Sequence, residues 1–96
     1  MMSVLVLVEA EVKDDALDML RTLLSQALPE TRKQEGCEHI DAFLDTGNGA
    51  KVVLVERWKT AKQYKEYRLW RMKTGAIEAM GALLKGAPIV RVFNAL

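Results

Sequence analysis

Apolar and polar positions alternate along this chain with two different periods, and the changes of period divide it into elements. Four segments have the residue pattern of β-strands, namely residues 3–11, 37–46, 50–58 and 89–95. Two regions have the three- to four-residue apolar spacing of helices, namely residues 13–35 and residues 60–85, the second of which breaks at Gly75. The order βαββαβ predicts an α+β, ferredoxin-like domain, in which a four-stranded antiparallel sheet carries its helices on one face.

Start and stop signals stand at the ends of these predicted elements. Asp14 and Asp15 lie where the cap and the first-turn acids of the first helix belong, and Pro29 is expected to kink that helix or restart it. Residues 47–49, Gly-Asn-Gly, are the expected hairpin turn, because these residue types tolerate the positive φ that such turns require. A capping box is expected to open the second helix at Thr60.

The predicted sheet has apolar side chains on both faces. The second strand alternates, with Ile40, Ala42 and Leu44 on one face and Cys37, His39, Asp41 and Phe43 on the other. Residues 4–8 and 52–55 are apolar on both faces, and each aliphatic side chain left in water forfeits about 1.5–3 kcal/mol. The sequence therefore predicts a homodimer with sheets packed face to face as a dimeric α/β barrel. The alternative is a monomer whose long helical side chains fold over the sheet.

Composition narrows the class of protein. The 96 residues suffice for one domain spanning 1–96, and a net charge of +1 gives no basic footprint for nucleic acid. No apolar run approaches the roughly 20 residues of a membrane helix. The start Met1-Met2-Ser3 lacks the features of a signal peptide, and the single cysteine, Cys37, allows no internal disulfide. These features predict a cytoplasmic protein with neither a membrane nor a nucleic-acid partner.

Short motifs stand at the strand ends and along the second helix. They are Glu35-Gly36-Cys37, Val55-Glu56-Arg57-Trp58, the run Tyr64-Lys65-Glu66-Tyr67-Arg68-Leu69-Trp70-Arg71, and Thr74-Gly75. In order and spacing they resemble the antibiotic biosynthesis monooxygenase family over nearly the whole chain. The resemblance implies a homodimeric α/β barrel of ferredoxin-like subunits. It also implies an enzyme that oxidises phenolic, anthrone or hydroquinone substrates with O2, without flavin, haem or metal.

The chain departs from that family in a feature that bears on mechanism. Many relatives carry a histidine on the second helix, whereas the only histidine here is His39, on the second strand. The haem-degrading branch also needs an asparagine on the first strand, where this chain has Glu9 and Glu11. The resemblance therefore argues against haem degradation.

Aromatic and titratable residues fit the needs of a cofactor-free oxygenase, which are a dry aromatic slot, a donor to the substrate oxyanion and a proton acceptor. We predict His39, Tyr67 and Arg71 as catalytic residues. His39 is the only histidine of the chain, a side-chain type suited to proton transfer, and is expected to be oriented by Asp41. Tyr67 and Arg71 share a helix face and can both donate to a phenolate. The predicted substrate-binding residues, which supply aromatic walls, are Phe43, Trp58, Tyr64 and Trp70.

Each candidate also has a structural interpretation. His39 would then be a surface or interface histidine, the aromatic stripe would be core, and Arg71 would pair with a carboxylate. Glu56 shares the strand face of Trp58 and is interpreted as a salt-bridge partner. No ligand-spaced cluster supports a metal site. The leading function is a monooxygenase without cofactor; the alternatives are a non-catalytic dimeric module that binds a small apolar ligand, and a cofactor-free isomerase or decarboxylase of a related cyclic intermediate.

Overall fold

Four strands and three helices follow one another in the computed structural model, which describes residues 3–96. The strands are β1 (Val4–Glu11), β2 (Cys37–Leu44), β3 (Lys51–Trp58) and β4 (Ile89–Asn94), and the helices are α1 (Leu17–Arg32), α2 (Ala61–Lys73) and α3 (Ala76–Gly81). All neighbouring strands are antiparallel, in the order β2-β3-β1-β4. The predicted ferredoxin-like α+β fold is therefore confirmed. Met1 and Met2 lie outside the described residues.

The pairing register assigns the strand residues to two faces of the sheet. One face lies under the helices and is called the helix side; on β3 its buried residues are Val52, Leu54, Glu56 and Trp58. The other face is called the open side, because no described helix covers it; on β3 it carries Lys51, Val53, Val55 and Arg57. Side chains alternate across a strand, so the same division extends through the register to the other three strands.

Two apolar clusters pack on the helix side. The first joins α1, the end of β1, the start of β3 and the segment after α3, and its buried members are Val12, Ala16, Leu20, Val52 and Leu84. The second joins β1, the end of β3 and α2, and its buried members are Val4, Val6, Trp58 and Tyr64. Each large apolar side chain buried here contributes about 1.5–3 kcal/mol. The second cluster contains two of the predicted site aromatics, Trp58 and Tyr64, and Tyr67 packs against it.

The first helix begins later than predicted, because the chain before it is tied to a neighbouring segment. The backbone N–H of Lys13 donates to the carbonyl of Leu83 at 2.9 Å, which holds residue 13 outside any helix. Asp14 and Asp15 then make a turn, with Asp15 at φ 63°, and α1 starts at Leu17 without a side-chain cap. The prediction that Asp14 and Asp15 lie at the cap and in the first turn of the helix is therefore wrong.

The interior of α1 and the two ends of α2 agree better with the sequence signals than the start of α1 does. α1 continues through Pro29 to its end at Arg32, so it does not restart at the proline. Thr60 caps α2 as predicted, since its side chain accepts the backbone N–H of Gln63 at 3.1 Å. Gly75, at φ 79°, separates α2 from α3, as expected for a residue that tolerates the left-handed region. No helix within residues 3–96 is long and apolar enough to span a membrane.

The loop between β2 and β3 is longer than a tight hairpin turn and is held by side chains. The Asp45 carboxylate accepts the backbone N–H groups of Gly47 at 2.7 Å and Asn48 at 3.0 Å. The Asn48 side-chain oxygen accepts the N–H of Ala50 at 3.0 Å. None of residues 47–49 has a positive φ, so the prediction that this turn uses positive φ values is wrong. Asp and Asn instead hold the loop by bonding the backbone ahead of them.

A β-bulge between Cys37 and His39 changes one predicted face assignment. Cys37 pairs with Trp58 and His39 pairs with Arg57, so an extra residue on β2 shifts the alternation between them. Cys37 consequently packs against the second apolar cluster on the helix side. The prediction that it shares a face with His39 is wrong, while the remaining assignments on β2 agree with the register.

Candidate active site

Trp58 is the centre of an aromatic cluster between β3 and α2. Its side chain is 0% exposed, and its ring centroid lies 4.8 Å from that of Tyr67 and 5.9 Å from that of Tyr64. The Tyr67 ring lies 6.2 Å from the ring of Trp70, which is 37% exposed. These centroid separations are typical of favourable aromatic pairs. The cluster therefore runs from the sealed core at Trp58 to the surface at Trp70.

Arg71 is a buried guanidinium that joins α2 to α1. It is 7% exposed, and its Cζ atom lies 4.7 Å from the centroid of Trp70 and 5.5 Å from that of Tyr67, within cation–π range. Its Nη2 donates to the carbonyl oxygen of Ala27 at 3.0 Å, and its Nη1 donates to the Glu30 carboxylate at 3.4 Å. The structural interpretation predicted that Arg71 pairs with a carboxylate. That pair is present with Glu30, but it is the longest of these polar contacts.

A directed chain of hydrogen bonds runs through Tyr67 and Thr31. Thr31 Oγ1 donates its only proton to the carbonyl of Ala27 at 3.0 Å, and it accepts from Nη2 of Arg71 at 3.0 Å. The Tyr67 hydroxyl, 2.8 Å away, must therefore donate to Thr31, while it accepts from Nε of Arg71 at 3.1 Å. The phenolic proton of Tyr67 is thus committed inside the protein. Among the donors of Arg71, Nη1 is the least engaged.

Glu56 is a buried carboxyl in the same region and is not among the predicted site residues. It is 3% exposed, and its Oε1 accepts the indole N–H of Trp58 at 3.0 Å. Burial raises the pKa of Glu56 above its ordinary value of 4.5, against the opposing effects of the Trp58 hydrogen bond and the Arg68 charge. Within residues 3–96 it forms no ion pair, so its interpretation as a salt-bridge partner is wrong.

The groups around Glu56 are mostly held in their neutral forms. Burial raises the pKa of the Tyr64 hydroxyl, and the Glu56 charge adds to that rise, whereas Arg68, whose Nη1 lies 3.5 Å away, opposes it. Burial is also the main cause that raises the pKa of the Cys37 thiol, followed by the charge of Glu56. A thiol with a raised pKa is a poor nucleophile, so Cys37 is a packing residue in this site.

The signal for Glu56 was present in the strand pattern. In the alternation of β3, Glu56 occupies a helix-side position between Leu54 and Trp58, both of which are buried. A carboxyl group in a buried register position is uncommon, because its charged form loses hydration there. Periodicity alone could have singled out Glu56, although it does not tell which partner holds the carboxyl.

His39 and Phe43 lie on the open side of the sheet, away from the aromatic cluster. Nε2 of His39 is 2.9 Å from Oδ2 of Asp41, so the predicted orientation by Asp41 is present, but both side chains are about half exposed. No group of three or more His, Cys, Asp or Glu in residues 3–96 is arranged to hold a metal ion. The structure thus divides the predicted site residues between the two faces of the sheet, and they share no common cavity in the single chain.

Two hollows line the margins of the open side. The larger, of about 450 Å³, lies at the loop end of the sheet beside Phe43, Glu9 and Ile89. The smaller, of about 310 Å³, lies at the opposite end beside Leu5 and Phe93. Phe43 is the only predicted site residue that lines either hollow, and the helix-side candidates line neither of them.

The sequence profile of one protein family matches most of the chain. The family is described as antibiotic biosynthesis monooxygenase, and the match spans residues 3–69. That range includes Glu56, Trp58, Tyr64 and Tyr67 and ends just before Trp70 and Arg71. No curated protein sequence matches the chain.

Several solved structures share the fold. Rv0793 from Mycobacterium tuberculosis is 28% identical with a TM-score of 0.87, and the match covers 98% of this chain and 95% of that one. A conserved protein from Methanosarcina mazei Go1 is 17% identical with a TM-score of 0.90, covering 97% and 92%. An antibiotic biosynthesis monooxygenase is 19% identical with a TM-score of 0.87, covering 97% and 98%. The last two likenesses, at these identities, concern the fold alone.

Proposed function

The chain belongs to the antibiotic biosynthesis monooxygenase family, and from that premise we propose that it is a cofactor-independent monooxygenase. Its substrate is a small hydrophobic phenol, anthrone or hydroquinone, and its oxidant is O2. The absence of a cofactor in this proposal comes from the family resemblance of the motifs. The observation that carries the proposal is a buried guanidinium and a buried carboxyl beside one continuous aromatic cluster on the helix side.

The aromatic cluster suits a flat, electron-rich substrate. Trp58, Tyr64 and Tyr67 form a rigid inner wall, while Trp70 extends the wall to the surface, where a ligand can first make contact. Apolar walls favour a neutral phenol over water and exclude water from the anion that it later becomes. Trp70 is therefore the proposed substrate-binding residue that a ligand can reach directly, while Trp58 and Tyr64, which are 0% and 5% exposed, are proposed to support that wall from the core.

Arg71 is the group that stabilises the substrate anion in this proposal. Its guanidinium is fixed on three sides by Ala27, Thr31 and Tyr67, so its charge needs no reorganisation when an oxyanion forms. Nη1 has one polar contact within residues 3–96, with the exposed Glu30 at 3.4 Å, and is therefore the donor best able to reach a ligand. Tyr67 acts by positioning Arg71, because its own proton is directed to Thr31.

The proposed chemistry balances without an external reductant. An anthrone-type CH2 loses two hydrogens and gains one oxygen atom to become a carbonyl, and the second atom of O2 leaves as water. A hydroquinone ring gains one oxygen in the same way and becomes a hydroxyquinone. All four electrons come from the substrate, so the protein needs only to bind the substrate, remove a proton and stabilise the anion.

We propose further that the working form is a homodimer joined through the open side. Proteins of this family are commonly dimeric. In the register, the open side carries large apolar side chains on all four strands, namely Leu5, Leu7, Phe43, Val53, Val55, Ile89 and Phe93. Three of them, Phe43, Ile89 and Phe93, are more than one-third exposed in the single chain. A second copy would bury this apolar surface, which is the main source of stability in obligate interfaces. His39 and Phe43 then belong to the interface rather than to the pocket.

Oxygen uptake tests the function. Purified, chelator-treated protein is supplied with a panel of hydroquinones, anthrones and naphthols, and O2 consumption is followed against a heat-inactivated control. Uptake above the control, with one oxygen atom of labelled O2 found in the product, supports the proposal. No uptake by a folded protein that binds the panel compounds favours the ligand-binding module. Conversion of a panel compound without O2 consumption favours the isomerase or decarboxylase.

A further inference from the structure

Glu56 is buried without the compensation that buried carboxylates ordinarily have. It lies mid-strand on the helix side, and its cross-strand neighbours Ile40 and Val6 are 2% and 0% exposed. The indole N–H of Trp58 is its single hydrogen-bond donor within residues 3–96. The nearby cation Arg68 donates to the Tyr64 hydroxyl and makes no ion pair with Glu56. A carboxyl kept in such a place is costly to ionise.

One of its two oxygens has no hydrogen-bond partner among residues 3–96. Oε1 accepts from Trp58, whereas Oε2 makes no hydrogen bond with any residue from 3 to 96. In the same range, every fully buried side-chain nitrogen or oxygen has a hydrogen-bond partner. Oε2 is therefore not completely shielded, although Glu56 as a whole is only 3% exposed. It is an acceptor without a donor among residues 3–96, and a ligand hydroxyl that enters beside it would supply that donor.

The surroundings of Oε2 suit a hydroxyl group on an aromatic ring. The Trp58 ring is fixed by the hydrogen bond to Glu56 and stacks beside Tyr64 and Tyr67, so the carboxyl stands next to an aromatic wall. Burial raises the pKa of the carboxyl, which makes it a stronger base than an exposed glutamate once it is ionised. Few other bases are at hand, since burial raises the pKa values of the Tyr64 hydroxyl and the Cys37 thiol as well and keeps both protonated.

We infer that Glu56 is the proton acceptor of the active site, taking the hydroxyl proton of a bound phenol, naphthol or hydroquinone on Oε2. This inference rests on the proposed function. The O–H bond of the substrate breaks, its electron pair stays on the substrate oxygen, and the proton joins Glu56. The substrate anion then gives its electrons to O2: one oxygen atom bonds to a ring carbon in place of its hydrogen, and the other leaves as water with that ring proton and the proton returned by Glu56. Trp58 acts as a positioning residue, because its indole N–H fixes Oε1 and so directs Oε2.

The first measurement is binding of 1-naphthol, followed by its fluorescence between pH 5 and pH 8. An ionised Glu56 accepts the naphthol hydroxyl, so the affinity of the wild-type protein is expected to rise with pH through the raised pKa of Glu56. Glu56→Gln keeps an oxygen for Trp58 but cannot titrate, so its affinity is expected to be flat over the same range. Glu66→Gln, the same change at an exposed position on α2, is expected to match the wild type.

The second measurement is O2 uptake with the best substrate of the panel. Loss of a general base lowers rates by about 100- to 10,000-fold, so Glu56→Gln is expected to lose at least about 100-fold in kcat. Glu56→Asp draws the carboxylate back and is expected to keep the pH dependence at a reduced rate. Retention of folding is checked in each variant by circular dichroism.

The outcomes separate this inference from the proposed function. If the wild type binds naphthol with a Glu56-dependent pH profile but consumes no O2, oxygenation fails and the proton acceptor stands. If O2 is consumed equally by the wild type and Glu56→Gln, oxygenation stands and the proton acceptor is overturned. Naphthol binding that is absent, or that has the same pH profile in the wild type and in Glu56→Gln, also overturns it.

Discussion

The two faces of the sheet differ in how their polar groups are satisfied. On the helix side, Arg71 makes four hydrogen bonds to protein groups, and Glu56 is held by Trp58. On the open side, His39 and Asp41 pair with each other while roughly half exposed to water. Charges that are buried and fixed can act on a ligand without reorganising, whereas exposed pairs are screened and contribute little. This difference is the reason why we propose the chemistry for the helix side and assembly for the open side.

The largest expected effect is on assembly, at Leu7 in the centre of the open side. Leu7→Asp removes an apolar contact of about 1.5–3 kcal/mol on each of two symmetry-related chains, or about 3–6 kcal/mol in all. The dimer dissociation constant is expected to rise at least 100-fold, measured by sedimentation equilibrium. Leu69→Asp, at an exposed leucine on α2, is the matched control and is expected to leave the dimer intact. A Leu7→Asp protein that remains dimeric would contradict assembly through the open side.

The two tryptophans of the helix side, Trp58 and Trp70, are expected to differ in how much each contributes to stability. Trp58→Ala empties a fully buried site and is expected to lower the free energy of unfolding by about 3–5 kcal/mol. Trp70→Ala removes a ring that is partly in water, so its cost is expected to be less than about 1.5 kcal/mol, while substrate affinity falls. Chemical denaturation measures both. Equal losses of stability in the two variants would mean that the cluster does not run from core to surface.

Removal of the buried guanidinium is expected to have an intermediate effect. Arg71→Leu removes the guanidinium hydrogen bonds to Thr31, Tyr67 and the Ala27 carbonyl, at a cost of about 2–3 kcal/mol in the free energy of unfolding. Arg21→Leu, at an exposed pair on α1, is the control and is expected to change it by less than about 0.5 kcal/mol. Arg71→Lys is expected to restore little, because an ammonium cannot reproduce the planar fork of donors.

A smaller effect is expected in the pH dependence of stability. Because burial raises the pKa of Glu56 in the folded state, the folded protein keeps this proton to higher pH than the unfolded chain does. The stabilisation is complete below the ordinary glutamate pKa of 4.5 and is lost as the pH rises through the raised value, at about 1.4 kcal/mol per unit of difference. Unfolding free energies measured across this window are expected to fall more steeply for the wild type than for Glu56→Gln. Parallel curves for the two proteins would contradict the burial of an ionisable Glu56.

The smallest effect is expected at His39. Since its side chain is exposed and lies on the face opposite to Arg71, His39→Ala is expected to change turnover by less than about 2-fold and stability by less than about 0.5 kcal/mol. Steady-state O2 uptake at several pH values measures the first quantity. A loss of 100-fold would return His39 to the mechanism and would require the dimer to bring the two faces together.

Element order and most boundaries could be predicted, because they depend on neighbours in sequence. The two-residue period of β3 predicts which of its side chains are buried, and the capping of α2 by Thr60 needs only a residue three positions away. The late start of α1 could not be predicted, since it results from the contact of Lys13 with Leu83, seventy residues later in the chain. The bulge at Cys37 is likewise a product of strand pairing.

For the candidate site, the sequence by itself determined which residue types are present and that Tyr67, Trp70 and Arg71 share a helix face, because helical geometry is local. Only the tertiary structure decided that Arg71 points at Thr31 and Ala27 on another helix, that Glu56 is held by Trp58 and not by a cation, and that His39 lies on the other face of the sheet. These outcomes depend on how helices pack on the sheet and on which polar groups are thereby buried together. Periodicity carries no information about such long-range pairs.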